Sequence, residues 1–320
     1  MRVLVTGTKG FIGSHVAHRL LERGHEVVAA ARQPDTSDGG VKRVFADLAC
    51  DDLAPLVRNC DAVVHCAALA APWGARARFM RDNVQATQHL VAAALASSTV
   101  RRFVYLSSPS IYFDYKDREN IGEEVLPSRW STNYAESKWL AEKCVLKARD
   151  IGPLILRPRA VFGVGDRVIV PRILAVARSG YLPLPRGGDS HIDITYIDNV
   201  VDAIELALQA PASTEGRAYN ITNGEPMPVR VILQKLFDAM HLRVRMLPVP
   251  RAIAMAGAAT VECAAKLCMQ SSEPRITRYS IALLAYHQTL SIAAARAQLG
   301  YAPRISVTEG MARLASPGAD

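Results

Sequence analysis

The chain has 320 residues, 50% of them hydrophobic and 21% charged, with a formal net charge of +8. That length accommodates two lobes or one large domain with an attached cap, and the apolar content excludes an intrinsically disordered chain. The longest aliphatic run, Ala252–Val261, is about half of the ~20 residues a membrane span requires.

No targeting segment is read ahead of the first strand-like run, Val3-Leu4-Val5. Six cysteines (Cys50, Cys60, Cys66, Cys144, Cys263, Cys268) form no CxxC pair, which predicts free, mostly buried thiols in a reducing compartment. The expectation is a soluble cytoplasmic protein. Its basic balance leaves nucleic acid, acidic lipid or a phosphorylated ligand open as partners.

In chain order, strand-like runs fall at Val3–Val5, Glu26–Ala30, Val44–Ala46, Ala62–Cys66, Phe103–Leu106 and Leu154–Leu156. Helix-period segments separate them. The first has Val16, Ala17, Leu20 and Leu21 on one face and stops at Gly24, where a left-handed cap is easily adopted. Two more cover residues 79–96 and 133–148. Strands alternating with crossover helices predict an α/β fold with a doubly wound parallel sheet. After Gly163 the chain is rich in Gly, Pro and Arg. A strand-like stretch, Ile192–Ile197, and a helix, Asn199–Leu208, are expected to rejoin the main sheet. The predicted division is therefore a Rossmann domain at 1–165 joined by 190–210, with a smaller substrate-binding cap from 166–189 and 211–320.

Thr6-Gly7-Thr8-Lys9-Gly10-Phe11-Ile12-Gly13 sits between the first strand and the first helix, with glycines spaced G-x-x-G-x-x-G. The spacing permits a tight turn, close backbone approach to a pyrophosphate and close helix–strand packing. The positive end of the helix dipole then faces the phosphates. An acidic residue at the end of the second strand would read the ribose 2′-hydroxyl of NAD. Here Ala31 is followed by Arg32, and Lys9 lies in the glycine loop. A charge-assisted bond from Arg32 to a 2′-phosphate contributes ~1.5–3 kcal/mol, so NADP(H) is favoured over NAD(H).

Tyr134 and Lys138 stand four residues apart, on one helical face. A second such pair, Tyr112 and Lys116, follows Pro109 without helical periodicity and reads as loop. The Tyr134 helix is expected to carry Trp139, Leu140, Cys144 and Val145 on its apolar side. A lysine cation beside Tyr134 is expected to lower its phenol from ~10 by about one to three pH units. That would let it exchange a proton with a substrate oxygen, and Lys138 would also hold the nicotinamide ribose. Ser107 and Ser108 follow the run Phe103–Leu106, at a strand's carboxyl end where open α/β sheets bind ligands. There a serine hydroxyl can position the substrate oxygen for Tyr134.

Together these residues resemble the extended short-chain dehydrogenase/reductase family, over essentially the whole chain. The resemblance implies that Asp47-Leu48 contacts adenine, that Cys66-Ala67-Ala68 lies beside the cofactor, and that Asn83-Val84 supports the active site. It implies Ser108, Tyr134 and Lys138 as catalytic residues and Arg157-Pro158 as the segment near the nicotinamide. The sugar-nucleotide branch has a diphosphate-binding asparagine and arginine where this chain has Ala160 and Ile192. The segments 70–74, 157–163 and 194–200 are similar to the 3β-hydroxysteroid dehydrogenase-like branch. The implied function is an NAD(P)-dependent oxidoreductase acting on a secondary alcohol or ketone of a largely apolar small-molecule substrate, working as a homodimer. A nucleotide-sugar epimerase or dehydratase and a non-catalytic NADP sensor remain as alternatives.

The 38 basic residues are spread along the chain with no nucleic-acid-binding motif, and the histidines show no metal-ligand spacing. Neither nucleic acid nor metal is expected. Arg76, Arg78 and Arg81 read as a solvated helix face or a substrate-carboxylate site. The segment Ala252–Met269 reads as an apolar lid or a peripheral membrane contact, with Glu262 and Lys266 suiting an exposed face.

Overall fold

A computed structural model describes residues 1–32, 43–126, 129–267, 274 and 276–315. Seven strands form the central sheet: β1 (Arg2–Thr6), β2 (Glu26–Ala31), β3 (Arg43–Phe45), β4 (Ala62–His65), β5 (Arg102–Leu106), β6 (Pro153–Pro158) and β7 (Arg217–Ile221). Their order is β7-β6-β5-β4-β1-β2-β3, with every pairing parallel. The chain reverses its winding direction between β1 and β4, which opens a crevice at their carboxyl ends. Strands β4, β5 and β6 are buried throughout, so both faces of the sheet are covered and the strands read as continuous apolar runs.

Helices cover both faces: α1 (Phe11–Glu22), α2 (Ala86–Ala96), α3 (Asn133–Lys147) and α4 (Ile197–Gln209). Helix α1 buries Val16, Ala17 and Leu20, as its 3.6-residue period requires, and Gly24 follows it at φ 77°. Helix α4 lies beside α1 and turns Val200, Val201 and Ile204 inward. Arg19 reaches across to Asp202 at 3.0 Å.

Two features correct the sequence reading. The strand-like stretch at 192–197 does not rejoin the main sheet. His191–Ile192 pairs with Met227–Pro228 and Gln288–Leu290, and Thr195–Tyr196 pairs with Val161–Phe162, in separate small sheets. The seventh strand is instead Arg217–Ile221, from the region assigned to the cap. Its sequence, Arg-Ala-Tyr-Asn-Ile, lacks an apolar run because Asn220 is a structural polar group. That side chain donates to the Ile121 carbonyl at 3.0 Å and accepts from the Tyr112 hydroxyl at 2.8 Å.

Helix α5 (Arg251–Leu267) and helix α6 (Arg278–Ala285) pack against each other. Ile253 and Leu267 of α5 are 63% and 81% exposed. Glu262 is not on that exposed face: it is buried and accepts hydrogen bonds from Arg278 N and Nε at 2.6 and 2.8 Å. Met269 and the Lys266 side chain lie outside the described residues. Among the described residues no helix is long and apolar enough to cross a membrane. Five cysteines are free, but Cys50 and Cys263 are exposed, against the expectation of mostly buried thiols. Cys268 lies outside the described residues.

Candidate active site

The glycine loop closes on itself through a hydrogen bond from Gly10 N to Gly7 O at 2.8 Å. Gly7 sits at φ 72°, and a Cβ there would stand 2.7 Å from Ala67 N. A Cβ on Gly13 would stand 2.3 Å from Gly7 O. Both positions therefore require glycine, and the three backbone segments form a cradle with no room for side chains. The first turn of α1, Phe11-Ile12-Gly13, carries no carboxylate, so its N–H groups and dipole present an anion site. Phe11 and Ile12 contribute backbone only: their side chains pack on the core.

A chain of hydrogen bonds holds the opposite wall. Thr87 Oγ1 donates to Asn83 O at 2.6 Å, so it accepts from His65 Nε2 at 3.0 Å. His65 Nδ1 then accepts from Thr6 Oγ1 at 2.7 Å, and Thr6 Oγ1 accepts from Ala67 N at 3.2 Å. Asn83 also brackets Leu69, accepting from its N at 2.7 Å and donating to its O at 3.2 Å, and donates to Ser137 at 2.8 Å. It thus ties the segment at Leu69 to helix α3.

Between these walls lies a cleft of about 530 Å³, lined by Gly7, Lys9, Gly10, Arg32, Asp47, Leu48, Cys66, Ala67 and Ala68 among the residues singled out in the sequence. Arg78 and Asp82 line it as well. Sequence reasoning did not name Asp82, and read Arg78 as part of a solvated helix face or a substrate-carboxylate site, because both come from the charged segment before α2. Arg32 donates to Asp82 at 3.3 Å, and Arg81 reaches Asp47 at 2.5 Å and Asp82 at 2.7 Å. Arg81 and the Ala49 N–H hold the Asp47 carboxyl below its usual range. Arg76 is taken up by Glu136 in a bidentate pair at 2.6 and 2.8 Å.

Helix α3 brings in the catalytic candidates. Thr132 caps it, accepting from Ala135 N at 3.0 Å. Its buried face is not the apolar one expected: Leu140 is exposed, while Ser137, Lys138 and Glu142 are buried beside Ala135, Ala141 and Val145. Lys138, 2% exposed, donates to the Leu106 carbonyl at 2.5 Å, and its Nζ lies 4.2 Å from the Tyr105 ring centroid. Burial brings its ammonium down to about 7, against the opposing pull of Glu142. Ser108 stands close enough to the Tyr134 phenol to draw its pKa down, and accepts from Ser110 N at 3.2 Å. Ser107 is buried, its N held by Leu156 O at 2.7 Å and its Oγ without a partner.

The phenol corrects an expectation. Burial pushes Tyr134 up to about 12, and the lowering influence is Ser108, not Lys138. Lys138 is itself desolvated and turned to the Leu106 carbonyl, so it presents little charge to the phenol.

Pro158 ends β6 at the same sheet edge. The Arg157 guanidinium holds Glu142 through bonds of 2.9 and 2.6 Å, both partners buried. It also donates to the Tyr112 hydroxyl. The decoy tyrosine is therefore a buried structural group, whereas Lys116 is exposed. Glu119, His191 and His287 converge far apart in sequence, with potential ligand atoms within 4.8 Å. His287 Nε2 already accepts from Arg186 at 3.0 Å, which leaves that lone pair unavailable to a metal.

The glycine cradle, the uncapped helix start and the orphaned Ser107 hydroxyl at the carboxyl edge all suit a dinucleotide. A family model described as the NAD dependent epimerase/dehydratase family matches residues 3–222. The chain is 36% identical to 2-alkyl-3-oxoalkanoate reductase of Stenotrophomonas maltophilia, over 100% of both chains. It is 28% identical to human sterol-4-alpha-carboxylate 3-dehydrogenase, decarboxylating, over 98% of this chain and 87% of that one. Among solved structures, MoeE5 in complex with UDP-glucuronic acid and NAD superposes with a TM-score of 0.78, at 25% identity over 98% of each chain.

Proposed function

The chain belongs to the NAD-dependent epimerase/dehydratase family, and on that premise we propose that Tyr134 is the acid/base of an alcohol–ketone interconversion on a largely apolar 3-oxo acid or sterol-like substrate. The protein is an NAD(P)-dependent oxidoreductase. The observation that carries the role of Tyr134 is its placement beside Ser108, which draws the phenol down against burial, at the sheet edge where the glycine cradle also opens. When bound, the nicotinamide supplies or receives the hydride.

The chain's own groups do the rest. The first-turn N–H groups of α1 hold the pyrophosphate, and Gly7 and Gly10, whose own N–H groups bond Ala30 O and Gly7 O, let it approach the backbone closely. Lys138, fixed against Leu106 O, holds the nicotinamide ribose. In ketone reduction Tyr134 gives its phenolic proton to the substrate oxygen as negative charge develops there. Ser108 donates a second hydrogen bond to that oxygen and fixes its position. Because burial keeps the phenol protonated to about 12, Tyr134 is poised as an acid at neutral pH. The apolar residues Ala160 and Ile192 offer no contact for a nucleotide-sugar diphosphate, which supports the oxidoreductase reading over an epimerase.

The finer assignment is to NADP(H), supported by Lys9, Arg32 and Arg78 on the cleft wall. The five free cysteines support a cytoplasmic location. We extend the reading to a homodimer, which light scattering would report as twice the chain mass.

Tyr134→Phe tests the mechanism. The expected result is a fall in kcat of ~10²–10⁴ for ketone reduction, with cofactor binding unchanged by fluorescence titration. Turnover close to wild type would sink the proposal, and so would wild-type enzyme that consumes no reduced cofactor with any secondary ketone.

A further inference from the structure

One buried cation at the substrate end of the site has no use in the scheme above. Arg159 follows β6 directly, at the carboxyl edge that also carries Ser107 and Ser108, since Leu106 and Leu156 are in register on adjacent strands. Its backbone is clamped on both sides: N donates to Ile221 O at 3.0 Å, and O accepts from Thr195 Oγ1 at 2.6 Å. The side chain is 6% exposed, yet Nε is without a hydrogen-bond partner. Among the described residues none forms an ion pair with its guanidinium.

This is unlike the other deeply buried arginine, Arg157, whose guanidinium is held by Glu142. Besides the Tyr279 phenol, the acidic group Arg159 feels is the Asp193 carboxyl, 1% exposed. Asp193 Oδ2 is committed to Leu290 N at 2.7 Å, and Oδ1 has no partner. The Tyr279 hydroxyl, pushed up by burial, feels both Arg159 and Tyr134. Tyr279 begins α6 and packs edge-on against Phe113, with ring centroids 5.9 Å apart. Beside the Asp193 carboxyl, the surroundings of the cation are therefore aromatic.

A buried guanidinium without a counter-ion is costly, and the cost is recovered when a planar anion accepts its parallel N–H groups. We propose that Arg159 is the anion anchor of the substrate pocket, selecting alcohols and ketones that carry a free carboxylate close to the reacting carbon. The proposal rests on the oxidoreductase reading and narrows it, from apolar substrates in general to 3-hydroxy and 3-oxo acids. The apolar walls take the alkyl chains, Arg159 takes the carboxylate, and Tyr134 and Ser108 take the carbinol oxygen.

The test compares a 2-alkyl-3-hydroxyalkanoate with its methyl ester, oxidised by the full-length enzyme with NADP⁺ or NAD⁺. Wild type is expected to favour the acid at least ~10-fold in kcat/KM, because truncating one partner of a buried charged pair costs at least that factor. Arg159→Gln should raise KM for the acid ~30–100-fold and leave the ester and the cofactor KM within about threefold. Arg159→Lys should restore part of the acid preference, as a point charge without the planar fork. Thermal unfolding of Arg159→Lys should stay close to wild type, since it keeps a cation facing the buried Asp193 carboxyl.

If Arg159→Gln lowers acid and ester equally, or changes neither, the assignment is wrong while the oxidoreductase reading stands. Loss of both substrates with a lower unfolding temperature makes Arg159 a structural residue and also overturns the assignment. Wild-type enzyme that oxidises neither compound with either cofactor overturns this proposal and the reading beneath it.

Discussion

The Thr6 hydroxyl lies 2.7 Å from His65 Nδ1, across two neighbouring strands. Through this bond the end of β1, which opens the glycine loop, is fixed to the end of β4, whose Ala67 backbone closes on Gly7. The bond works only with a neutral imidazole protonated at Nε2, because Thr6 must donate to Nδ1 in order to accept from Ala67 N. Burial enforces that state by bringing His65 down to about 3. A loop geometry that binds a cofactor therefore depends on one tautomer of a residue that need not touch it.

This makes a pH prediction whose sign is fixed. The unfolded histidine takes up a proton below ~6.5, whereas the folded one does so only near 3. Stability from this group is fully present above ~6.5 and is lost as pH falls, by about 2 kcal/mol at pH 5. Urea unfolding between pH 7 and 5 should show that loss. In His65→Asn the slope should disappear at the expense of lower stability at pH 7. An unchanged slope would mean that the imidazole is already charged when folded.

Arg157 and Glu142 form a buried pair that locks β6 to α3. Removing one partner leaves the other charge uncompensated, so Arg157→Met should destabilise by about 3–5 kcal/mol in urea unfolding. The double variant Arg157→Met, Glu142→Leu should recover most of that loss. The KM for cofactor should not change in Arg157→Met below its unfolding temperature. A selective rise in that KM would instead place Arg157 at the nicotinamide.

Much of this was legible in the sequence, for reasons that also mark where legibility ends. Six of the seven sheet strands read as apolar runs; β1, β4, β5 and β6 do so because they are buried on both faces, while the edge strand β3 leaves Val44 and Phe45 exposed. The G-x-x-G-x-x-G spacing is forced by backbone contacts at Gly7 and Gly13. The last strand stayed hidden because Asn220 interrupts it to satisfy Tyr112 and Ile121. The buried face of α3 was misread because Ser137, Lys138 and Glu142 occupy positions that periodicity reserves for apolar side chains. The shift of Tyr134 was unreadable for a related reason: whether Lys138 charges the phenol depends on the direction of Nζ, and that is set by a carbonyl 32 residues away in sequence. Arg159 looked like one of many arginines until its lack of a partner could be seen.

The cofactor preference has a direct check in Arg32. Its guanidinium is exposed and held loosely by Asp82 at 3.3 Å, a bond that a 2′-phosphate would replace. Arg32→Ala should weaken NADPH binding by roughly tenfold or more and leave NADH within about twofold. Asp82→Asn, which frees Arg32, should tighten NADPH selectively. If both reduced cofactors weaken together in Arg32→Ala, the side chain only stacks on adenine, and the NADP preference falls.

The two catalytic groups on α3 should separate cleanly in a pH profile. Lys138 loses its proton near 7, and Tyr134 keeps its own to about 12. Ketone reduction needs the ammonium to hold the ribose and the phenol as acid. The kcat/KM for reduced cofactor, which reports ionisations of the free enzyme, should therefore fall along one limb as pH rises through about 7. No tyrosine limb should appear up to pH 10. Glu142 is the group that sustains the Lys138 charge, so Glu142→Gln should move the limb to lower pH in enzyme that remains folded. A profile flat from pH 6 to 9 would show that the lysine charge is dispensable, and that Lys138 serves only to brace Leu106 at the strand end.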